Sequence, residues 1–193
     1  MQEVKKKLEN ILIPKSKALR LEDLEDYKEI IFEMIPELRA EDGFDQKNPW
    51  HLYDVWKHTE VAVCHSKPDI EIRIALLLHD IGKPHSFQEE GEVRHFKGHA
   101  EKSAQMARPI LERLGYPESK INRIYYLIEN HSKVIDTKNI SDKNIGLVKK
   151  LLHVQYCDAK AYHPEYIEVA TKRLDEIKKE IQKIEKNQNQ GEI

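Results

Sequence analysis

Leu76-Leu77-Leu78-His79-Asp80-Ile81-Gly82-Lys83-Pro84 begins as the most apolar run in the chain and ends in an imidazole, a carboxylate and an ammonium. Upstream, Ile70, Ile72, Ile74 and Ala75 extend the apolar character, so residues 69–83 read as a helix without a polar face. A helix of that kind is central and buried. Gly82 permits a left-handed turn past a helix end, and Pro84 cannot continue a helix, so the two together stop it. The helix therefore delivers two adjacent metal-type ligands, His79 and Asp80, to its buried end. An unpaired carboxylate there is costly, so Asp80 needs a cation or a metal. Lys83 follows within a turn, placed to meet an anionic substrate.

Outward from this stretch, the chain reads as further helices. Residues 1–50 form a helical lead-in packed on the same domain, with stripes at Leu8, Ile11, Leu12 and at Leu24, Tyr27, Ile30, Ile31, Met34, and no evident chemistry. Residues 41–49 (EDGFDQKNP) are a loop by composition. His51–Ser66 reads as a helix on which Asp54 and His58 are i, i+4 neighbours; the plain alternative is a capping Asp54 and a satisfied core His58. Residues 84–96 turn around Glu90-Gly91 as a small β-ribbon or irregular loop, with His85 and His95 at the rim. Lys97–Gly115 is a helix with His99 in its first turn, where Gly98 would allow close backbone approach.

Pro117–His131 is a helix whose buried face, Ile121, Ile124, Leu127, Ile128, continues into His131. Residues 141–161, opened by the cap-type residues Ser141 and Asp142, carry Asp158 on their apolar side. The last helix runs from His163 to about Lys186, with a seam over residues 170–184 for the domain or a second copy, ahead of a disordered tail at 188–193. The expected organisation is an all-α bundle over residues 51–187.

Composition narrows the function classes. The chain has 193 residues, 39% hydrophobic and 34% charged, with 32 basic against 34 acidic side chains and a net charge of −2. That balance gives no global pull towards nucleic acid or anionic membrane. No apolar run approaches the ~20 residues of a membrane span, and the N-terminus lacks a signal-peptide pattern, so a cytoplasmic protein is expected. Cys64 and Cys157, the only cysteines, read as reduced core residues. Ten histidines are the oddity.

Six positions place a metal-type ligand on an apolar helical face or at a helix end: His58, His79, Asp80, His99, His131 and Asp158. Each alone has a bland explanation as a capped, solvated or ion-paired group. Jointly they put such a group inside from each of five helices, which a plain bundle has no reason to do. Mixed His and carboxylate ligation suits one or two divalent ions among Mn, Fe, Co, Ni, Mg or Zn.

The order H…HD…H…H…D with its HDIGKP string resembles the HD superfamily of metal-dependent phosphohydrolases. YDVWKHT, LLHDIGKP, HFKGHAEKSA, LIENH and YCDAK are similar to stand-alone HD-domain hydrolases and to the HD domain of some bacterial CCA-adding tRNA nucleotidyltransferases, over roughly residues 51–161. No nucleotidyltransferase head is among these strings, so CCA addition is not implied. The resemblance implies that His58, His79, Asp80 and Asp158 hold a first metal. It implies that His99 and His131 complete a second, with Asp80 bridging, and that Lys83 contacts phosphate. Asp54 matches a position that is acidic in some multi-metal members. The cyclic-di-GMP branch would have a His-His pair at Asn130-His131 and a GYP signature; neither is present, so no third metal or cyclic dinucleotide substrate is implied.

The function expected is hydrolysis of a phosphate ester, a nucleotide monoester or diester including a 2′,3′-cyclic one. Asp80 would assist proton transfer, and Lys83 with His51 or Arg94 would bind phosphate. The alternatives are a di-iron oxygenase on the same scaffold, a non-catalytic metal- or nucleotide-binding regulatory domain, and a closed structural metal site. The partner expected is a small phosphate ester; charge does not point to a nucleic acid end.

Overall fold

The helices expected from the 3.6-residue apolar spacing are present in the computed structural model, which describes residues 2–15 and 18–190, with side chains as far as residue 186. They are α1 (Gln2–Leu12), α2 (Leu21–Met34), α3 (Val55–Cys64), α4 (Ile70–Leu78), α5 (His99–Arg113), α6 (Glu118–Asn130), α7 (Ile145–Ala159) and α8 (Pro164–Gln190). Strands β1 (Gln88–Glu90) and β2 (Val93–His95) form an antiparallel ribbon in which Gln88 pairs with His95 and Glu90 with Val93. Gly91, at φ 64°, makes its tight turn. The fold is thus a helical bundle with a small β-ribbon after the His-Asp pair.

α4 is the helix on which five others pack. The Asp69 carboxylate caps it, accepting from the Glu71 and Ile72 amides. From Glu71 to Leu78 every side chain is buried, and α1, α3, α5, α6 and α7 all touch it. Its two buried charges are spent on tying neighbours in. Glu71 meets Arg123 of α6 and Lys150 of α7, both at 2.7 Å, and Arg73 donates to the Leu12 carbonyl at the end of α1.

Several boundaries differ from those expected. α4 ends at Leu78 and a 3-10 turn covers Lys83–His85. Gly82 is not left-handed: its φ is −81°. It is glycine because a Cβ there would lie 2.7 Å from both the His99 carbonyl oxygen and the Ser103 amide nitrogen. Gly98 is the reverse case, with open space around it and a φ of 80°, so handedness rather than close approach requires it. α3 starts at Val55 rather than His51, because the Asp54 side chain accepts from the Lys57 amide at 2.7 Å and fixes the cap there.

α7 starts at Ile145. Asn144 accepts from the Ser141 amide at 2.8 Å and folds residues 141–144 into a turn, so Ser141 and Asp142 do not cap the helix. α8 continues to Gln190, since no Gly or Pro interrupts it before Gly191; residues 188–190 of the expected tail are helical, and residues 191–193 lie outside the described residues. The α8 seam is used within the chain. Leu174, Ile177 and Ile181 are buried in the core that α7 and α8 share, so that seam is not free for a second copy.

Candidate metal centre

Five helices converge on one point. α3 supplies His58, the residues after α4 supply His79 and Asp80, α5 opens with His99, His131 follows α6, and α7 supplies Asp158 near its end. The four imidazoles are aimed by one device. His79, His99 and His131 each donate Nδ1–H to the backbone carbonyl three residues earlier, those of Leu76, Phe96 and Ile128, at 2.6, 2.7 and 2.7 Å. His58 donates Nδ1–H to the Ala161 carbonyl at 3.2 Å. A carbonyl can only accept, so every Nδ1 carries the proton and every Nε2 is left as a ligand atom facing inwards.

Those Nε2 atoms face other acceptors. His58 Nε2 lies 2.9 Å from Asp158 Oδ1 and 3.3 Å from His79 Nε2. His99 Nε2 and His131 Nε2 are 3.1 Å apart. Asp80 sits between the two sets. Its Oδ2 is 3.2 Å from His79 and 3.5 Å from His58, and its Oδ1 is 3.5 Å from His99 and 3.7 Å from His131. Neither oxygen accepts a well-directed hydrogen bond among the described residues, although both are buried. Lone pairs this close repel unless a cation or a proton stands between them. The donor set therefore fits divalent metal in two groups that share Asp80: His58, His79 and Asp80, and Asp80, His99 and His131.

Electrostatics point the same way. Burial alone would raise the Asp80 and Asp158 carboxyls, but His79 and Lys83 hold Asp80 well below the usual range, and His58 and His79 do so for Asp158. Burial opposes charge on His79, yet Asp80 and Asp158 outweigh it and push its pKa up to about 10. Burial lowers His99, and burial with neighbouring His79 lowers His131 to about 3. At neutral pH the metal-free centre thus keeps a proton on His79, which a metal must displace. Loading Zn²⁺ is expected to release protons, with affinity rising as pH rises from 7 towards 10. Calorimetry in buffers of differing ionisation enthalpy reads this; an affinity flat across that range would contradict it.

The HD domain family model matches residues 51–181. The chain belongs to the HD domain family. A CC-adding tRNA nucleotidyltransferase of Thermus thermophilus is 34% identical over 137 residues, 67% of this chain and 31% of that protein. An A-adding tRNA nucleotidyltransferase of Deinococcus radiodurans is 36% identical over 50% of this chain and 24% of its own. A multifunctional CCA protein of Shewanella denitrificans is 29% identical over 52% and 25%. The matched stretch is under a third of each relative's length.

Around this HD centre lie Lys83 and His51, both expected from the sequence, and three groups that the sequence did not single out, Gln46, Glu41 and Tyr162. Lys83, 3% exposed, meets Asp80 Oδ2 at 2.7 Å and donates to Gln46 Oε1 at 2.7 Å. The first fifty residues, expected to carry no chemistry, thus place Gln46 behind the lysine. They also bury Glu41, whose carboxyl is pushed up by burial and by Asp80 and accepts from Thr59 Oγ1. Gln46 comes from irregular backbone and Glu41 from the end of a short 3-10 helix, Pro36–Glu41, where no 3.6-residue periodicity marks them. Tyr162 Oη donates to Asp158 Oδ2 at 3.1 Å; its i+4 spacing from Asp158 was the available signal. His51 packs beside His58 with ring centroids 5.1 Å apart, and its buried Nδ1 has no hydrogen-bond partner among the described residues.

Two expected substrate-binding residues are engaged elsewhere. Asp54 caps α3. Arg94 lies over the Phe44 and Phe87 rings and pairs with Glu89 at 2.7 Å, and its guanidinium also donates to the Asp45 carbonyl at 2.5 Å. His85 and His95 are exposed. Asp54→Ala is expected to cost about 1 kcal/mol as a lost cap while metal content stays unchanged. Thermal unfolding and metal analysis of the same sample check this.

Proposed function

We propose that the chain is a divalent-metal-dependent hydrolase of phosphate esters, with His58, His79, Asp80 and Asp158 holding one metal and His99 and His131 completing a second through Asp80. The observation that carries this reading is Lys83, a buried ammonium held against the shared carboxylate of the ligand cluster. A closed structural metal site has no use for a cation there; an anionic substrate has. Metal bound in this centre would lower the pKa of a water and polarise a phosphoryl oxygen.

The chain's own residues do the rest. Lys83, steadied by Gln46, is placed to bind a phosphate oxygen. Asp80, held far on the carboxylate side, is a poor store for a proton, so it orients an attacking water rather than deprotonating it fully. Burial pushes His51 down to about 2, so it stays neutral and presents its free Nδ1 beside the site. Tyr162 holds Asp158 in place. The relatives are named for addition to tRNA; for this chain a nucleotide, free or at a nucleic acid end, is the substrate class we propose. We also propose residues 51–187 as the HD domain with residues 1–50 as its packed lead-in, in the cytoplasm.

The test is metal analysis of the purified protein, then Mn, Mg, Co and Ni screened against phosphomonoesters, phosphodiesters and nucleotides. Lys83→Met is expected to lower kcat/KM about 10²-fold with bound metal near wild type. Lost metal in that variant would mean that the lysine supports the centre instead of the substrate. Stoichiometric iron with O2-dependent turnover would move the reading to an oxygenase. Nucleotide binding without turnover would leave a regulatory domain.

A further inference from the structure

A cavity of about 320 Å³ opens beside the centre, reaching His131 and Asp158 at one end. Its other walls differ in character from the ligand cluster. Trp50, Val134 and Val169, large hydrophobic residues left 42%, 63% and 63% exposed, all line it. Trp50 is braced from behind: its ring stacks on Tyr166, with centroids 4.4 Å apart, and its carbonyl accepts from the His163 amide at 2.8 Å. Its ring also meets Tyr162 edge-on, and Tyr162 is bonded to Asp158. An aromatic wall thus runs from solvent to a metal-type ligand.

The rim is basic. Lys133 is paired with Glu101 at 3.0 Å, but Arg173 of α8 has no ion pair or hydrogen bond among the described residues. Exposed apolar and aromatic side chains, one unpaired cation and a ligand cluster at the inner end make an amphipathic container. It suits an occupant with a phosphoryl group at one end and a flat apolar body at the other. Its volume lies at the low end for small-molecule sites, which fits one nucleotide unit.

We infer that this cavity is a base-binding subsite, in which Trp50 stacks against the nucleobase of a free nucleoside phosphate and Arg173 adds the charge that holds it. The inference rests on the phosphate-ester reading of the centre and names its substrate class. Stacking on an aromatic side chain is tolerant of base identity, so Trp50 selects nucleotides over sugar or glycerol phosphates without choosing among bases.

The test uses the chain as purified and two non-hydrolysable probes, an adenosine 5′-phosphonate and methylphosphonate, which lacks a base. The adenosine probe is expected to quench tryptophan emission saturably, and Trp50→Phe, which leaves only the buried Trp56, to remove the quench. Calorimetry should find adenosine-probe binding weakened roughly tenfold by Trp50→Ala and several-fold by Arg173→Ala, with methylphosphonate affinity unmoved by Trp50→Ala. Equal affinity for the two probes, a quench that survives in Trp50→Phe, or unchanged binding in Trp50→Ala would overturn the subsite. An oligonucleotide with a terminal phosphate that outcompetes the free-nucleotide probe would overturn the assignment to free nucleotides. The two readings separate cleanly. Hydrolysis of glycerol phosphate with base-blind binding removes the subsite alone, whereas base-dependent binding with no hydrolysis of any ester removes the reaction alone.

Discussion

Asp80→Ala is expected to reduce hydrolysis by about 10³-fold or more and bound divalent metal to near zero. The reason is that one carboxylate serves both halves of the centre, Oδ2 towards His58 and His79 and Oδ1 towards His99 and His131. Deleting any single imidazole leaves one group intact; deleting Asp80 breaks both. The variant also strips the buried Lys83 of its ion pair, leaving Gln46 and the Phe96 ring beside it. Removing one half of a buried pair costs on the order of 3 kcal/mol, so the metal-free variant should unfold earlier. Asp80→Asn keeps the volume and an acceptor oxygen, and should lose metal with a smaller stability penalty. His99→Ala with His131→Ala should lower metal content from two ions to one. Metal retained at full stoichiometry in Asp80→Ala would remove the shared-carboxylate arrangement.

Gly82→Ala should be the most damaging glycine-to-alanine change among the described residues. The new Cβ would meet backbone atoms of His99 and Ser103 at 2.7 Å and Ser103 Oγ at 2.9 Å, and backbone cannot swing aside as a side chain can. Gly82 also donates its amide to Ser103 Oγ at 2.9 Å, so the turn after Asp80 is docked directly on the first two turns of α5. Relief of the clash must move α5, and with it His99, away from Asp80. Overpacking of this kind costs about 2–3 kcal/mol, which in a chain of this size lowers Tm by roughly 5–10 °C. The second metal should be lost before the first. Gly98→Ala is the matched control: its penalty comes from a φ of 80°, with no contact to break, so it should cost stability while leaving metal content intact. Equal loss of metal in both variants would show that close packing at Gly82 is not what sets the spacing.

The two glycines also mark where the sequence was legible and where it was not. That Leu76–Leu78 would be buried and would end in a buried His-Asp pair was readable, because apolar runs and stop signals are local. What each glycine is for was assigned in reverse, because close approach by α5 is a long-range fact that a local string cannot hold. The convergence of His58, His79, Asp80, His99, His131 and Asp158 was readable from their positions on apolar faces. Gln46 and Glu41 were not, since a side chain on irregular backbone or at the end of a short 3-10 helix carries no 3.6-residue periodicity. Asp54 had two readings, and the capping one, visible at helix-start spacing, is seen in the structure, where its Oδ1 accepts from the Lys57 amide. Arg94, expected to bind phosphate, is paired with Glu89, which the two strands bring opposite it.

The carbonyl three residues before His79 and before His131 belongs to the last turn of the helix that carries each ring. Helix length therefore acts as a gauge for where the ring lands. One residue added within α4 or α6 would swing its imidazole about 100° around the axis and advance it about 1.5 Å, out of reach of Asp80. The same addition in residues 134–143, between α6 and α7, moves no ring, because each end of that connection is anchored by its own helix. Natural or engineered length variation in this chain should collect in its connections and be absent from those two helices, and an insertion scan would draw that map residue by residue.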